Sequence, residues 1–418
     1  MKKGLILVIF TLLVALSGCN SSYEKGAYYE VSALEKTNYK KILGSQYKDL
    51  EIDSIFSEAL LNFSYKTASD LLEDRNGMYS PISYFIALAE LAELTQDSTR
   101  VEILNALYIN DIDILRDGNH GLYQKLSYKN DISTLSIANS IWLNKDKVYN
   151  ENSLEILRDK YYASSYGVDF ANAADKKSIS DWVSDNTGGK LGGNDFDDLG
   201  PSIAFVLLNT IYFYDEWNSK FDKDGNEFAS FAGLEENVEY MSQVLEGGYF
   251  KNDEYESSSL VFKNGLRISF VAPYDSNNFV DFVSDEIKMK ESLSRNPILN
   301  YLVSYKIPKY SYKSSFDLIN YAKELGINKV FGVADFSPLS NEEIFVDAMY
   351  QKSFIEIDEE GGKAAAYTGI VGDTESVPFD MVDFHLNRPF VYAIYSGEYP
   401  LFIGTVTNPN SDKEEKYG

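Results

Sequence analysis

The sequence predicts an α+β fold whose helices come early and whose strands come late. Apolar residues recur at helical spacing through residues 52–107, whereas from about residue 135 they alternate with polar residues or form continuous runs. No Pro/Gly/Ser-rich linker and no internal repeat interrupts residues 51–410, which predicts one large domain. The chain of 418 residues is 44% hydrophobic, so it is apolar enough to bury a large core.

Three helices are predicted at the start of the domain. Apolar residues between Ile52 and Leu72 fall mostly three or four positions apart, which predicts an amphipathic helix that stops at Asn76-Gly77. Ser80-Pro81 predicts the next helix, because serine caps a helix and proline in the first turn loses no needed hydrogen bond. A third helix is expected after Asp97-Ser98.

Strands are predicted from the change of period that follows. Residues 135–143 alternate between apolar and mostly polar side chains, which predicts a strand with one buried face. Residues 203–214 are almost continuously apolar, which favours a strand covered on both faces. Shorter runs of the same kind predict strands at 260–262, 268–271, 303–307, 345–346, 355–357, 390–394 and 401–406.

Residues 1–18 have the pattern of a secretory signal. Lys2 and Lys3 precede an apolar run at 5–16, which as a helix rises only ~18 Å, short of a ~30 Å hydrocarbon core. Leu16-Ser17-Gly18-Cys19 resembles the bacterial lipoprotein signal, which implies that Cys19 is acylated and becomes the mature N-terminus. The alternative is a cleaved signal followed by an incidental cysteine. We expect residues 19–50 to form a tether and residues 411–418 a flexible charged tail.

Composition excludes several classes of function. With 38 basic and 64 acidic residues, the net charge of −26 argues against nucleic acid as a partner. Two histidines, His120 and His385, and one cysteine are too few for a structural zinc site, and we expect no metal and no cofactor. Ser184-Asp185-Asn186 matches one motif of serine β-lactamases, but no K-T-G is present. A serine hydrolase is therefore the weakest hypothesis, and we expect that the chain is not an enzyme.

The segment from Ile355 to Pro378 carries the most information. A predicted strand runs into acidic residues and two glycines, followed by very small side chains. Its composition is also that of a flexible surface loop. Every second residue is uncharged, however, so one face could enter a sheet over a core: Gly362, Ala364, Ala366, Thr368, Ile370, Gly372 and Thr374.

Several motifs in one order resemble the serpin family between about Ile52 and Pro409. These motifs are 76–83, Trp182-Val183 with 187–191, 209–221, 334–337, Arg388-Pro389-Phe390 and 404–409. The resemblance implies a serpin fold with three β-sheets, eight or nine helices and an exposed reactive-centre loop. It also implies a mechanism in which a protease cleaves the loop, becomes acylated to it and is trapped when the loop inserts into the main sheet. About fifteen inserted residues at ~1 kcal/mol each give a driving force on the order of 15 kcal/mol, so the native state must be metastable.

The resemblance assigns roles to residues of this chain. The reactive bond is expected between Glu375 and Ser376, with Asp373 or Thr374 as alternative bait residues. Lipidation is expected at Cys19. The breach position that usually holds histidine is Gln351, which can form hydrogen bonds but cannot titrate. The expected loop hinge is Glu359, Glu360, Gly361, Gly362, Lys363, Ala364, Ala365 and Ala366, and the expected shutter and breach residues are Ser80, Ser83, Asn209, Trp217 and Gln351.

The leading hypothesis is a monomeric inhibitor of a serine or cysteine endopeptidase, anchored by lipid in a bacterial cell envelope outside the cytoplasm. A carboxylate at Glu375 selects a protease pocket with a basic residue, so we expect an acidic-residue-preferring protease as partner. The second hypothesis is a non-inhibitory serpin-fold binding or structural surface lipoprotein. Gly362 and Lys363 depart from the residues that inhibitory relatives commonly carry, but a small residue and a solvent-facing lysine do not block insertion.

Overall fold

The computed structural model describes residues 50–73, 75–129, 133–193, 196, 198–295, 299–361, 380–411 and 414–417. These residues contain nine α-helices and sixteen strands, in agreement with the predicted α+β class. The helices are α1 (Ser54–Leu71), α2 (Pro81–Glu93), α3 (Asp97–Ala106), α4 (Ile112–Leu126), α5 (Glu151–Tyr161), α6 (Ala173–Asn186), α7 (Phe279–Val283), α8 (Glu286–Ser294) and α9 (Ile319–Glu324).

The three predicted early helices are present; the first two begin at a side-chain cap, whereas α3 begins at Asp97, within the expected Asp97-Ser98 start, without one. Asp53 caps α1 by accepting a hydrogen bond of 2.8 Å from the Ile55 N–H. Ser80 caps α2 by accepting from the Ser83 N–H, and Pro81 occupies the first position of that helix. The position of α2 is therefore set by local sequence, which fixes the place of the polar residues in its first turn.

The largest sheet has nine strands and forms one side of the core. Its order is β1-β15-β14-β9-β8-β7-β10-β13, and β6 pairs with β7 outside this path. Its strands are β1 (Gly77–Tyr79), β6 (Glu227–Ala229), β7 (Val238–Lys251), β8 (Tyr255–Val261), β9 (Arg267–Pro273), β10 (Leu299–Pro308), β13 (Asp380–His385), β14 (Phe390–Ser396) and β15 (Tyr399–Val406).

Two smaller sheets complete the fold. In the first, β3 pairs antiparallel with β5 and β2 and parallel with β4. In the second, β11 pairs antiparallel with β12 and parallel with β16. We call the first the four-stranded half-sheet and the second the three-stranded half-sheet. Their strands are β2 (Tyr128–Lys129), β3 (Thr134–Asn144), β4 (Ala163–Val168), β5 (Phe205–Tyr214), β11 (Tyr310–Asp317), β12 (Tyr350–Ile357) and β16 (Glu414–Tyr417).

Three predictions about strands need correction. The predicted strand at 345–346 is wrong, because the chain there is irregular. The expected flexible tail is wrong for Glu414–Tyr417, which pair with β11 because that strand still has backbone groups on its outer edge. The strand predicted at 203–214 begins at Phe205, and its residues 211–214 are only partly buried, so its second half is not covered on both faces.

A buried asparagine joins the start of β1 to the chain that leaves the neighbouring strand β15. The Asn76 carboxamide oxygen accepts hydrogen bonds from the backbone N–H groups of Thr407 (2.8 Å) and Asn408 (2.9 Å), and its amide donates to the Asn408 carbonyl (2.7 Å). The side chain thus takes the place of a backbone segment and satisfies groups that would otherwise be buried without partners.

No helix within the described residues is long and apolar enough to cross a membrane. The expected signal at 1–18, Cys19 and nearly all of the expected tether at 19–50 lie outside the described residues. The parts of the chain that the structure describes also contain no group of three or more histidine, cysteine or acidic side chains that could hold a metal ion.

Candidate functional site

The two half-sheets lie edge to edge, and β5 and β12 are neighbours. At one end, Phe205 and Asn209 line the same cavity as Tyr350 and Gln351. At the other end, residues 211–214 line a cavity together with residues 354–357. The two strands therefore run in the same direction. Within the described residues, however, β5 forms its ladder with β3, β12 forms its ladder with β11, and no ladder joins β5 to β12.

A cavity lies between the strands near their C-terminal ends. The cavity there has a volume of about 270 Å³, and its apolar lining includes Met78, Ile394 and Phe402 of the nine-stranded sheet. Protein interiors usually leave few voids of this size, because unfilled space forfeits packing contacts. The cleft between β5 and β12 is therefore a place where further side chains can be buried on an existing apolar floor.

Near the N-terminal ends of β5 and β12, a chain of buried and partly buried polar residues crosses the cleft. The Gln351 carboxamide accepts from the Ser80 N–H (2.7 Å) and donates to the Ser80 carbonyl (2.8 Å). The Ser83 hydroxyl donates to the Asn209 side chain, which in turn donates to Asn139. We call these residues (Ser80, Ser83, Asn139, Asn209 and Gln351) the shutter network.

The shutter network brings together four of the five residues expected at the shutter or breach, and it corrects the place of one of them. Gln351 was expected at the breach, but it lies near the start of β12 and pairs with Ser80, whereas Trp217 contacts the chain that leaves the other end of that strand. Gln351 lies far from the end of β12 because it is the second residue of that strand. Asn139 was missed, and its position in an otherwise apolar alternation on β3 was the one available signal.

At the other end of the cleft, Trp217 fixes the chain that leaves β12. Its indole N–H donates to the Asp358 carbonyl (2.8 Å), and its backbone N–H donates to the Glu360 carbonyl (3.0 Å). Its ring is 1% exposed and stacks on Phe262 with centroids 4.6 Å apart. These contacts join the four-stranded half-sheet to the first hinge residues, and we call this region the breach.

Ion pairs hold the two acidic hinge residues in the breach. The Glu359 carboxylate is 3.0 Å from the Lys309 ammonium and also accepts a hydrogen bond from Asn226. Burial alone would raise the pKa of Glu359, but these two partners lower it below its usual value. The Glu360 carboxylate is 2.6 Å from the Lys220 ammonium. Lys309, Asn226 and Lys220 lie far from the hinge in sequence, so no local pattern indicated these pairs.

The breach also contains an acid whose pKa is raised by burial. Asp215 is fully buried, and this burial raises its pKa to about 6, although the backbone N–H groups of Glu216 and Asn264 donate to its carboxylate. Burial likewise raises the pKa of Asp358. The breach thus concentrates acidic groups whose charge is balanced by a few lysines.

Gly361 is the last hinge residue that the structure describes, and its conformation requires glycine. The chain reverses direction between Asp358 and Gly361, and Gly361 forms an antiparallel bridge with Glu216. Its φ is +107°, and a Cβ atom there would lie 2.6 Å from the Trp217 backbone nitrogen. The hinge therefore already points back toward the cleft. Gly362, Lys363, Ala364, Ala365, Ala366, Asp373, Thr374, Glu375 and Ser376 lie outside the described residues.

Comparisons with known proteins agree with this geometry. The family model described as "Serpin (serine protease inhibitor)" matches residues 58–409. Serpin A3-3 of Bos taurus is 27% identical over 389 residues, which cover 90% of this chain and 92% of the bovine protein. A serpin-like protein of Methanosarcina acetivorans is 27% identical over 355 residues and covers 82% and 83% of the two chains.

Solved structures show the same likeness. The thermophilic serpin tengpin in its native state matches with a TM-score of 0.75 and 25% identity, covering 86% of this chain and 95% of tengpin. Serpin48 of the insect Tenebrio molitor matches with a TM-score of 0.75 and 27% identity, covering 86% and 99%. The expected fold, with three sheets and eight or nine helices, is confirmed by the nine helices and three sheets of the described residues. The chain belongs to the serpin family, whose members are generally protease inhibitors.

Proposed function

We propose that this chain inhibits an endopeptidase by offering residues 362–379 as a substrate and then inserting the cleaved loop between β5 and β12. The observation that carries the proposal is the cleft itself, where two strands run side by side without a ladder between them. Gly361 already turns the chain back toward this cleft. An inserted segment would run antiparallel to both neighbours, which is the arrangement that permits straight, closely spaced backbone hydrogen bonds on each side.

The proposed trapping step is an interrupted hydrolysis. The protease serine attacks the Glu375 carbonyl, the peptide bond to Ser376 breaks, and the Ser376 amine leaves with the proton that the protease supplies. The ester between protease and Glu375 then persists, because insertion carries the protease away before water attacks. An inserted strand of about fifteen residues at ~1 kcal/mol net per hydrogen bond supplies a driving force on the order of 15 kcal/mol.

Contacts at both ends of the cleft oppose premature insertion. The hydrogen bond between the Trp217 N–H and the Glu360 carbonyl must break before a strand can pass. The hydrogen bonds of the shutter network must rearrange as well. The pair Glu359–Lys309 holds the hinge at the same place. Several buried interactions that must rearrange together create a kinetic barrier, which supports a metastable native state.

The proposed bait residue defines the class of target. A glutamate at the cleaved bond suits a protease whose specificity pocket carries lysine, arginine or protonated histidine, whereas a trypsin-like pocket repels it. We propose a glutamate-preferring serine endopeptidase as the first target class and cysteine endopeptidases as the second. The similar insect protein Serpin48 is described as a highly specific serpin.

The proposed location is the surface of a bacterial cell envelope, with a lipid on Cys19. The lipoprotein-like residues 16–19 carry this part of the proposal, and the residues between Cys19 and Leu50 are long enough to hold the domain away from the bilayer.

Incubation with a glutamate-specific serine endopeptidase should yield a covalent complex that survives a denaturing gel. Mass spectrometry of the released C-terminal peptide should give Ser376 as its first residue. Glu375→Arg should move trapping from this protease to trypsin, which tests whether the bait position sets specificity. Complete cleavage without any covalent complex would contradict inhibition and favour the non-inhibitory binding or structural role. A first residue other than Ser376 would contradict the assigned bond alone.

Gly361→Ala should destabilise the intact protein by about 2–4 kcal/mol, because the new methyl group meets the Trp217 backbone in a conformation that non-glycine residues avoid. The same change should raise the fraction of molecules that are cleaved without trapping. The matched control is Gly397→Ala, since Gly397 also has positive φ (+61°) but has nothing within 4 Å of the added atom. Equal effects at the two glycines would contradict a special role for the hinge.

Cys19→Ser should release the full-length chain from the membrane fraction of expressing bacteria and abolish labelling by a radioactive fatty acid, because serine has no thiol to acylate. Substitution of the neighbouring Ser21 by alanine is the control, and it should leave both properties unchanged. Unchanged labelling of the Cys19→Ser variant would contradict the proposed anchor.

A further inference from the structure

Glu90 is a fully buried acid whose carboxyl group is not used by the proposed mechanism. It lies in α2, and its exposure is 0%. Neither of its two carboxyl oxygens has a hydrogen-bond partner among the described residues. Acidic side chains are almost never buried in this way unless they are paired. The group therefore carries a cost that the surrounding structure does not offset.

Glu93, one turn away on the same helix, shows how a buried acid is normally accommodated. Its carboxylate forms two hydrogen bonds with the Arg116 guanidinium (2.8 and 2.7 Å) and accepts a third from the Tyr161 hydroxyl (3.0 Å). Glu93 is 3% exposed, so the two acids differ in their partners rather than in their burial.

The charged and titratable groups that contact this part of α2 come from three neighbouring elements. Arg116 of α4 and Tyr161 of α5 are engaged by Glu93, and the Arg100 guanidinium of α3 donates to the Ala92 carbonyl. In contrast, α1, β5 and β15 meet α2 through uncharged groups, namely Phe63, Asn209 and the Leu401 carbonyl. Burial raises the pKa of Glu90 well above its usual value, and no neighbouring charge offsets this effect.

The position of Glu90 connects it to the cleft. Its helix is capped by Ser80 and carries Ser83 in its first turn, and these two members of the shutter network reach β12 and β5 respectively. A change that loosens α2 therefore acts on the contacts that hold the two half-sheets in place.

We infer that Glu90 is a built-in weak point of the native fold, which packs as a neutral acid and loosens α2 when it ionises. Because Glu90 binds its proton more tightly in the folded than in the unfolded chain, folding stability is greatest below the unfolded pKa. It is lost as the pH rises toward the folded pKa. This inference concerns the intact fold and goes beyond the proposed inhibition.

The test measures the melting temperature of the intact protein between about pH 5.5 and pH 8.5 for the wild type, Glu90→Gln and Glu90→Met. We expect the wild type to lose melting temperature as the pH rises. Both variants should flatten this slope and melt higher than the wild type at the alkaline end, by on the order of 3 °C or more. Asp215 adds a slope in the same direction in every variant, so the difference between variants isolates Glu90. Glu58→Gln, an exposed acid on α1, is the matched control and should follow the wild type.

Hydrogen exchange tests the structural link in the same variants. At about pH 8.5 the amides of α2 should exchange faster in the wild type than in Glu90→Gln, and at about pH 5.5 the two proteins should exchange alike. Equal melting slopes in the wild type and Glu90→Gln would overturn the inference. So would a lower melting temperature of both variants at the alkaline end, because it would mean that Glu90 stabilises the fold.

Discussion

The structure depends on the separation of β5 and β12, two parallel neighbours that form no ladder with one another in the described part of the chain. Their separation is maintained at the two ends by different interactions. At one end, buried amides and hydroxyls link α2 to both strands. At the other, Trp217 and a set of ion pairs hold the chain that leaves β12. Between the ends, the apolar floor provided by the nine-stranded sheet is ready to bury further side chains. Two strands that are held in place at both ends but have no hydrogen-bonded strand between them form a metastable arrangement. Pairing with an inserted strand would lower its free energy.

Buried acidic groups affect the stability of this arrangement in opposite directions. The paired acids Glu359 and Glu93 stabilise the fold, because each has basic and hydrogen-bonding partners. Asp215 and Glu90 have weaker support, and burial raises the pKa of each. Removing such groups is often neutral or stabilising in ordinary proteins, whereas the proposed loop insertion requires a native state that is less stable than the inserted one.

Short sequence patterns predicted the helices and strands that position the site. Contacts between residues that are remote in sequence could not be predicted. The Ser80-Pro81 cap placed α2 and the apolar run placed most of β5, because each signal is contained in a few consecutive residues. Gln351 was assigned to the wrong end of β12, since its partner Ser80 is remote in sequence. The partners of Glu359 and the pairing of β16 with β11 were missed for the same reason. Spacing along a chain does not reveal which surfaces meet.

The central claim is that loop cleavage converts the open cleft into a paired sheet. The most direct test is to compare the thermal unfolding of the intact chain with that of the chain cleaved once within residues 362–379, under identical conditions. The account predicts that the cleaved molecule, with both fragments retained, melts at a much higher temperature than the intact one. A cleaved molecule that melts at the same or a lower temperature would mean that no strand enters between β5 and β12.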